Sequence, residues 1–156
     1  MKKNVAILIL LSIALTSCGV FNKKLSIEDV VTEKTIIDKM ENPAKMESAL
    51  NDLKKRQIVL EDVLVKKIVK SSNYTYDYCV IVDMPYKNDL IECHIYSKKV
   101  KTISKLQIGV THIRVSGDFN GFVYSFGNQT KMEIVNAKIK LLGQKEGFFK
   151  KIFPWS

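Results

Sequence analysis

The fold is decided by residues Tyr74–Tyr96, whose sequence is YTYDYCVIVDMPYKNDLIECHIY. Apolar and polar residues alternate on both sides of Pro85–Asp89, and a period of two is typical of half-buried β-strands. Pro, Asn and Asp between the two runs favour a hairpin connection. The stretch therefore predicts two antiparallel strands, Tyr74–Met84 and Leu90–Tyr96. Their predicted core-facing side chains are Tyr76, Tyr78, Val80, Val82, Met84, Ile91, Cys93 and Ile95.

Three further strands are predicted around this hairpin. Ile58–Val69 is rich in Val, Ile and Leu, Val110–Ser116 follows a glycine, and Met132–Leu142 is the last apolar run. Lys98–Leu106 predicts a short helix between the third and fourth strands. Five strands with a helix in that position have the order of an OB-fold. We therefore expect a mainly β chain.

A helical segment is predicted over residues 26–56. Ser26 precedes Glu28 and Asp29, which is typical of a capped helix start. Asn42-Pro43 ends this helix and begins a second one, because proline is tolerated at the first helical position. The apolar residues with helical spacing, expected to face the core, are Ile27, Val30, Val31, Ile37, Met40, Met46, Leu50 and Leu53.

The second half of the chain resembles the tRNA-anticodon-binding-like OB domains, which recur in bacterial lipoproteins. The matching pattern is Leu106-x-x-Gly109, Ile113-x-Val115-x-Gly117, Gly121 and Met132-x-Ile134-x-Asn136-Ala137-x-Ile139, with Ile91-x-Cys93-x-Ile95 as the third strand. The resemblance covers Ala44–Leu141. It implies a five-stranded, OB-like Greek-key barrel over residues 57–142, preceded by the helical segment and containing the short helix.

The first strand departs from that family in one respect. The family often carries a glycine there, where the strand bends between the two sheets of the barrel, but no glycine occurs between Gln57 and Lys70. We expect either a β-bulge near Lys66-Lys67 or a more open barrel.

The N-terminus has the organisation of a signal peptide. Lys2 and Lys3 precede Val5–Leu15, eleven residues that are apolar apart from Ser12. As a helix this stretch spans about 16 Å, roughly half of the ~30 Å hydrocarbon core. It is therefore a poor membrane span and a good signal-peptide core.

Leu15-Thr16-Ser17-Cys18 resembles the lipobox of bacterial lipoproteins. The resemblance implies cleavage before Cys18 and attachment of diacylglycerol to its thiol, often with acylation of the new amino terminus by a fatty acid such as palmitate. Residues 1–17 are then the signal peptide and residues 18–25 a lipidated tether. Gly19 is not the aspartate that favours inner-membrane retention, so a Gram-negative host implies the outer membrane, facing the periplasm.

Composition and motifs argue against an enzyme. The 156 residues hold 25 Lys+Arg against 16 Asp+Glu, a net charge of +9, but only two His and three Cys. No dinucleotide, P-loop or G-x-S-x-G spacing occurs. We therefore expect no catalytic residues, no metal site and no cofactor.

The outward side of strands two and three is the candidate ligand groove. There, His94 and Tyr96 are expected to face solvent, with Tyr86 at the tip of the hairpin, and such side chains stack on sugars or pack on peptides. Ordinary exposed strand residues remain the alternative. The same side is expected to carry the carboxylates Asp77, Asp83 and Glu92 and no Lys or Arg, and such a side would repel phosphates.

These features predict a lipid-anchored, non-catalytic binding or adaptor module of the cell envelope. Its ligand is expected to be a protein or an envelope glycan. A nucleic-acid-binding OB protein is the alternative, and the oligomeric state is left open.

Cys79 and Cys93 are predicted to be free thiols. If Val80 and Val82 point inward, Cys79 points outward while Cys93 points into the core. A shift of the strand register by one residue would bring both to one side and permit a disulfide.

Residues 143–156 form a basic and aromatic tail that includes Phe148, Phe149, Phe153 and Trp155. Aromatic and basic residues suit a membrane interface. Packing of the aromatic rings against the barrel or the helices is the alternative.

Overall fold

The computed structural model describes residues 24–124 and 130–143 as a closed five-stranded barrel with helices on its N-terminal side. The predicted signal peptide, Cys18 and most of the predicted tether lie outside the described residues, as do residues 125–129 and 144–156. The elements are α1 (Ile27–Ile37), α2 (Pro43–Lys54), β1 (Gln57–Lys70), β2 (Tyr78–Tyr86), β3 (Asp89–Tyr96), α3 (Val100–Ile103), β4 (His112–Tyr124) and β5 (Thr130–Gly143).

The strand order in the barrel is β1-β2-β3-β5-β4, closed by pairing of β4 with β1. β3 and β5 are parallel, and the other neighbouring strands are antiparallel. The mainly β prediction is confirmed.

The two N-terminal helices begin at the predicted caps. Ser26 Oγ accepts a hydrogen bond from the Asp29 backbone N–H, and the Asp29 carboxylate accepts one from the Ser26 N–H, a complete capping box. Asn42 caps α2, with Pro43 at its first position. Both helices place apolar residues in the barrel core, chiefly Ile27, Val30, Ile37 and Leu53. They therefore close the end of the barrel at which β1 begins.

The chain enters this end next to β1. Leu25 bridges Ile58: its N–H donates to the Gln57 carbonyl at 2.8 Å, and its carbonyl accepts from Val59 at 2.9 Å. The Phe119 N–H donates to the Arg56 carbonyl at 3.1 Å, which ties the end of α2 to β4. The helical segment is thus fixed to the barrel at both of its ends.

β1 bends at bulges in place of the missing glycine. Its register shifts between Leu60 and Val63 and again between Val65 and Lys67. Asp62, within the first shift, has a φ of 50°. The first half of β1 pairs with β4 and the second half with β2, so the bulges turn one long strand around the barrel. The bulge expected near Lys66-Lys67 is confirmed, and the barrel is closed.

β2 begins four residues later than predicted. Residues 71–77 form a loop in which Asn73 Oδ1 accepts from the Thr75 backbone N–H and the Asn73 backbone N–H donates to Ser71 Oγ. Tyr76, expected inside the barrel, packs instead on its outer side with Cys79, Ile81, Tyr96 and the half-buried Val135. Local Ser and Asn hydrogen bonds thus override the apparent alternation. We call Tyr76, Cys79, Ile81 and Tyr96 the outer cluster.

Other boundaries also differ from expectation. The helix predicted over Lys98–Leu106 is the single turn of α3. β4 continues eight residues past Ser116, because β5 pairs with it as far as Thr130.

The two described cysteines are free thiols on opposite sides of the sheet, as predicted. Cys93 is fully buried in the barrel core, and Cys79 is buried in the outer cluster. In the β2–β3 ladder Cys79 pairs with Tyr96 and Cys93 pairs with Val82, so the two cysteines are not opposite each other.

Candidate functional site

A strip of charged side chains crosses the outer side of β1, β2, β3 and β5. The burial of Ile91, Cys93 and Ile95 places the alternate residues Glu92 and His94 on this outer side. Asp83 lies opposite Glu92 on β2, and Lys131 pairs with Glu92 across the parallel β3–β5 ladder. We call Lys66, Asp83, Glu92, His94 and Lys131 the ionic strip.

Glu92 is the centre of the ionic strip. His94 Nε2 lies 2.8 Å from Glu92 Oε1, and Lys131 Nζ lies 3.6 Å from the same oxygen. Lys66 Nζ lies 3.6 Å from Glu92 Oε2 and 2.8 Å from Asp83 Oδ2. The five side chains are between 19% and 41% exposed, so a ligand can reach all of them.

Electrostatics favours the ionised forms of Glu92 and Lys66. The hydrogen bond from His94 lowers the pKa of Glu92, and the nearby Lys131 and Lys66 charges act in the same direction. The hydrogen bond to Asp83 raises the pKa of Lys66. At neutral pH the strip therefore presents carboxylates and ammonium groups that already neutralise one another.

The expectation that this side carries no basic group is wrong. β2 and β3 supply no basic side chain to it, but the neighbouring strands β1 and β5 supply Lys66 and Lys131. Lys66, at the bulge of β1, is paired with the carboxylates of Asp83 and Glu92. Repulsion of phosphates is therefore weaker than the sequence indicated, although both lysines are already engaged.

The structure brings two of the three predicted groove residues to one face. His94 is part of the ionic strip, but Tyr96 is only 2% exposed, its ring centroid 5.6 Å from that of Tyr76. The Tyr96 hydroxyl donates to Glu133 Oε1 at 3.3 Å, and burial raises the pKa of Tyr96. The expected exposure of Tyr96 is thus corrected, because the loop 71–77 covers it.

Tyr86 does not share this face. It has the same strand phase as the inward-pointing Val82 and is half-buried against the barrel core. Lys87 Nζ lies 5.3 Å from the centre of the Tyr86 ring. Tyr86 therefore stabilises the hairpin end of the barrel rather than completing a groove with His94.

Sequence reasoning missed Glu133, Asn120 and Leu90. Asn120 Nδ2 donates to Glu133 Oε2 at 2.9 Å, which holds Glu133 next to Tyr96. Leu90 precedes Glu92 on the same side of β3, is 63% exposed and pairs with the exposed Pro85. The face thus carries an exposed apolar edge beside the ionic strip. Alternation along β3 is the signal that could have placed Leu90 on the outer side, but no local signal indicated Glu133 or Asn120.

The other histidine lies apart from this face. His112 Nδ1 lies 2.8 Å from Asp62 Oδ1, next to the bulge of β1. Within residues 24–124 and 130–143, no three His, Cys, Asp or Glu side chains are arranged to hold a metal ion.

The described residues also contain a cleft between α1 and α2. Its volume is about 310 Å³, and Arg56 crosses it to donate to both Glu33 carboxylate oxygens, at 2.6 and 2.8 Å. The cleft is lined by Glu33, Ile36, Ile37, Ala49, Asp52, Leu53 and Arg56. None of the predicted groove residues lines it.

No family model matches the chain, and no curated protein is similar enough to count as a relative. In the part of the chain that the structure describes, no helix is long and apolar enough to cross a membrane.

Replacing Glu92 with glutamine is expected to lower the free energy of unfolding by about 1 kcal/mol at neutral pH. Because the folded pKa of Glu92 is lowered, its stabilising contribution is present above the usual carboxyl range and disappears as the pH falls through the folded pKa. The difference between wild type and variant should therefore vanish in strong acid. Urea unfolding at neutral pH and in acid measures it.

Glu47→Gln, at an exposed position of α2, is the matched control and should show no such pH-dependent difference. Equal behaviour of the two variants would contradict the role given to Glu92.

Proposed function

We propose that this chain is a lipid-anchored, non-catalytic binding or adaptor module of the bacterial cell envelope, built on an OB-like barrel. Its ligand is a protein or an envelope glycan. The observation that carries the proposal is the ionic strip with its exposed apolar edge at Leu90.

The position of the strip supports a binding role. The barrel order β1-β2-β3-β5-β4 with α3 between β3 and β4 fits an OB-like fold. OB-folds bind oligosaccharides and oligonucleotides on the face of their second and third strands. The ionic strip occupies that face.

The charges of the strip favour a protein or glycan over a nucleic acid. A phosphate chain would have to displace Asp83 and Glu92 from Lys66, and the freed carboxylates would repel it. Hydroxyl and amide groups can instead hydrogen-bond to the paired charges without separating them. Tyr96 is covered, which removes the aromatic platform on which bases would stack.

The anchor is proposed from the lipobox. Leu15-Thr16-Ser17-Cys18 supports acylation of Cys18, and Leu25, seven residues later, is already hydrogen-bonded to β1. An acylated Cys18 would hold the barrel close to the lipid surface, in the outer membrane of a Gram-negative host. Two or three acyl chains anchor far more firmly than one.

One experiment tests both parts of the proposal. A photo-crosslinking amino acid replaces Leu90, and Val123 of β4, 44% exposed, is the control position. The protein is irradiated in its native cells, extracted from the membrane fraction and analysed by mass spectrometry. We expect an uncrosslinked mass of residues 18–156 plus acyl groups. We also expect a protein or glycan adduct at position 90 that is absent at position 123.

Two outcomes would contradict the proposal separately. An unmodified full-length mass in the soluble fraction would remove the anchor. A nucleic-acid adduct at position 90, with salt-dependent binding of single-stranded DNA, would favour the alternative function.

A further inference from the structure

The end of the barrel opposite the helices carries a second exposed surface. We call residues 98–110, which include α3, the α3 surface. Ile103 and Leu106 are buried in the core and fix this segment to the barrel. Val100, Ile108 and Val110 nevertheless remain exposed, Ile108 by 57%. Exposed aliphatic residues gathered in one segment are typical of an interaction surface.

The last residues of β5 lie at the same end. His112, which follows the α3 surface, pairs with Gly143, and the preceding Leu141 and Leu142 are exposed. The Gly109 N–H donates to the Val65 carbonyl at 2.8 Å, so the loop is held against β1. The apolar residues are thus presented by a fixed backbone.

The α3 surface is strongly basic. Lys98, Lys99, Lys101 and Lys105 are exposed, and no Asp or Glu occurs between Cys93 and Gly117. None of these four lysines forms an ion pair within the described residues, in contrast to Lys66. Their charge is therefore available to an anionic partner.

We propose that the α3 surface docks on an anionic lipid membrane, with Ile108 and Val110 entering the headgroup region and the lysines contacting lipid phosphates. Interfacial binding combines burial of apolar area with attraction of basic residues to anionic lipids. Unpaired lysines alone would equally suit a nucleic acid. The exposed Ile108 and Val110 beside them favour a membrane.

Charge also argues against two other occupants. A second copy of the chain would bring two basic surfaces together. The chain's own tail, residues 144–156, contains Lys145, Lys150 and Lys151 and a single acid, Glu146, so it would be repelled as well. β5 ends with Gly143 at this same end of the barrel, and the aromatic and basic composition of residues 144–156 matches the chemistry expected at a lipid interface.

Docking of this surface is compatible with an anchor at Cys18 but does not depend on it. The seven steps from Cys18 to Leu25 reach at most about 24 Å. The six steps along β4 from His112 to Asp118 span about 20 Å, which approximates the distance between the two ends of the barrel. The tether can therefore reach the membrane while the α3 surface touches it.

The test uses residues 18–156 with Cys18→Ser, which removes the signal peptide and the acylation site. This piece keeps every described helix and strand and therefore the whole core. It is sedimented with vesicles of phosphatidylcholine containing about one third phosphatidylglycerol, and with vesicles of phosphatidylcholine alone. We expect binding to the anionic vesicles that weakens with added salt.

Matched variants locate the binding surface. Lys101→Glu/Lys105→Glu should weaken binding about 25-fold or more, since each basic residue near an anionic surface contributes about fivefold. Lys39→Glu/Lys45→Glu, with the same change of net charge at the helical end, should change it less than threefold. Ile108→Ser should weaken binding several-fold, whereas Ile36→Ser, at an isoleucine 58% exposed on α1, should not. Circular dichroism verifies that each variant is folded.

Four results would overturn the proposal. The first is the absence of binding to anionic vesicles. The second is an equal loss of vesicle binding in the two double variants. The third is salt-dependent binding to single-stranded DNA through the same lysines that is tighter than binding to the vesicles. The fourth is loss of binding on deletion of residues 144–156 with no effect of Lys101→Glu/Lys105→Glu, which would assign the membrane contact to the tail alone. The protein in this experiment is not acylated. A failure to bind vesicles would therefore contradict the docking of the α3 surface without bearing on the proposed function.

Discussion

Replacing Gly117 with alanine is expected to lower the free energy of unfolding by about 3 kcal/mol. A Cβ atom at this position would lie 2.7 Å from Ile134 Cγ2 and 2.7 Å from the Val135 carbonyl oxygen. It would also lie 3.1 Å from the Ala137 Cα. Two of these three atoms belong to the backbone of β5, so rotation of a side chain cannot relieve the overlap.

The close approach is built into the pairing of β4 with β5. The register shifts between Ser116 and Asp118, where Asn136 has a φ of 51°. The Tyr76 hydroxyl donates to Asn136 Oδ1 and accepts from the Asn136 N–H, at 3.0 and 3.1 Å. Because Tyr76 fixes this bulge, β5 cannot move away from an added methyl group without losing both hydrogen bonds.

Gly109→Ala is the matched control. Gly109 has a φ of 73°, but no atom lies within 4 Å of the position of its Cβ. Its substitution should cost only the strain of a left-handed backbone, about 1 kcal/mol. Urea unfolding followed by circular dichroism compares the two variants. If Gly117→Ala proved no more destabilising than Gly109→Ala, the packing of β4 on β5 described above would be wrong.

Much of the barrel is predictable because its signals are local. Alternation places Val80, Val82, Cys93 and Ile95 inside the barrel, and all four are fully buried. The caps of α1 and α2 likewise depend on residues within three positions of one another. The resemblance included Gly117 in its pattern, yet the reason for a glycine there is a contact with β5, seventeen or more residues away.

The candidate site is less predictable because it is assembled across strands. Alternation predicts that Glu92 and His94 face outward. Lys66 and Lys131, however, are 65 residues apart in the chain, and both reach Glu92 only because the β1–β2 and β3–β5 ladders place them beside it. Tyr96 is covered by the loop of residues 71–77, part of which the alternating sequence assigned to β2. A period of two shows which side of a strand a side chain faces. Which side chains contact it from other strands, and which loop covers it, depends on the closed barrel topology.

Cys79 and Cys93 are expected to react with a thiol reagent at least about a hundredfold more slowly in the folded protein than after unfolding. Burial raises the pKa of Cys79 to about 11 and that of Cys93 to about 12, from a usual value of 9.0. Since the thiolate is the reactive form, near pH 8 these shifts alone lower its fraction about 100-fold for Cys79 and about 1000-fold for Cys93. Exclusion of the reagent from both buried sites slows the reaction further.

The measurement uses residues 18–156 with Cys18→Ser, so that Cys79 and Cys93 are the two thiols present. Labelling with an aromatic disulfide reagent is followed at pH 8 in buffer and in guanidinium chloride. Both thiols should label promptly in denaturant and hardly at all in buffer. Ser104→Cys, at an exposed position just after α3, adds a third thiol that should label promptly in both conditions.

The same samples distinguish free thiols from a disulfide. Because Cys79 lies in the outer cluster and Cys93 in the barrel core, the two sulfur atoms are on opposite sides of the sheet. Mobility in a gel should therefore be unchanged by reduction, and denaturant should release two labelled thiols per chain rather than none. Prompt labelling of either thiol in buffer would show that the barrel core or the outer cluster opens readily. A mobility shift on reduction would mean that the register of β2 against β3 is displaced by one residue.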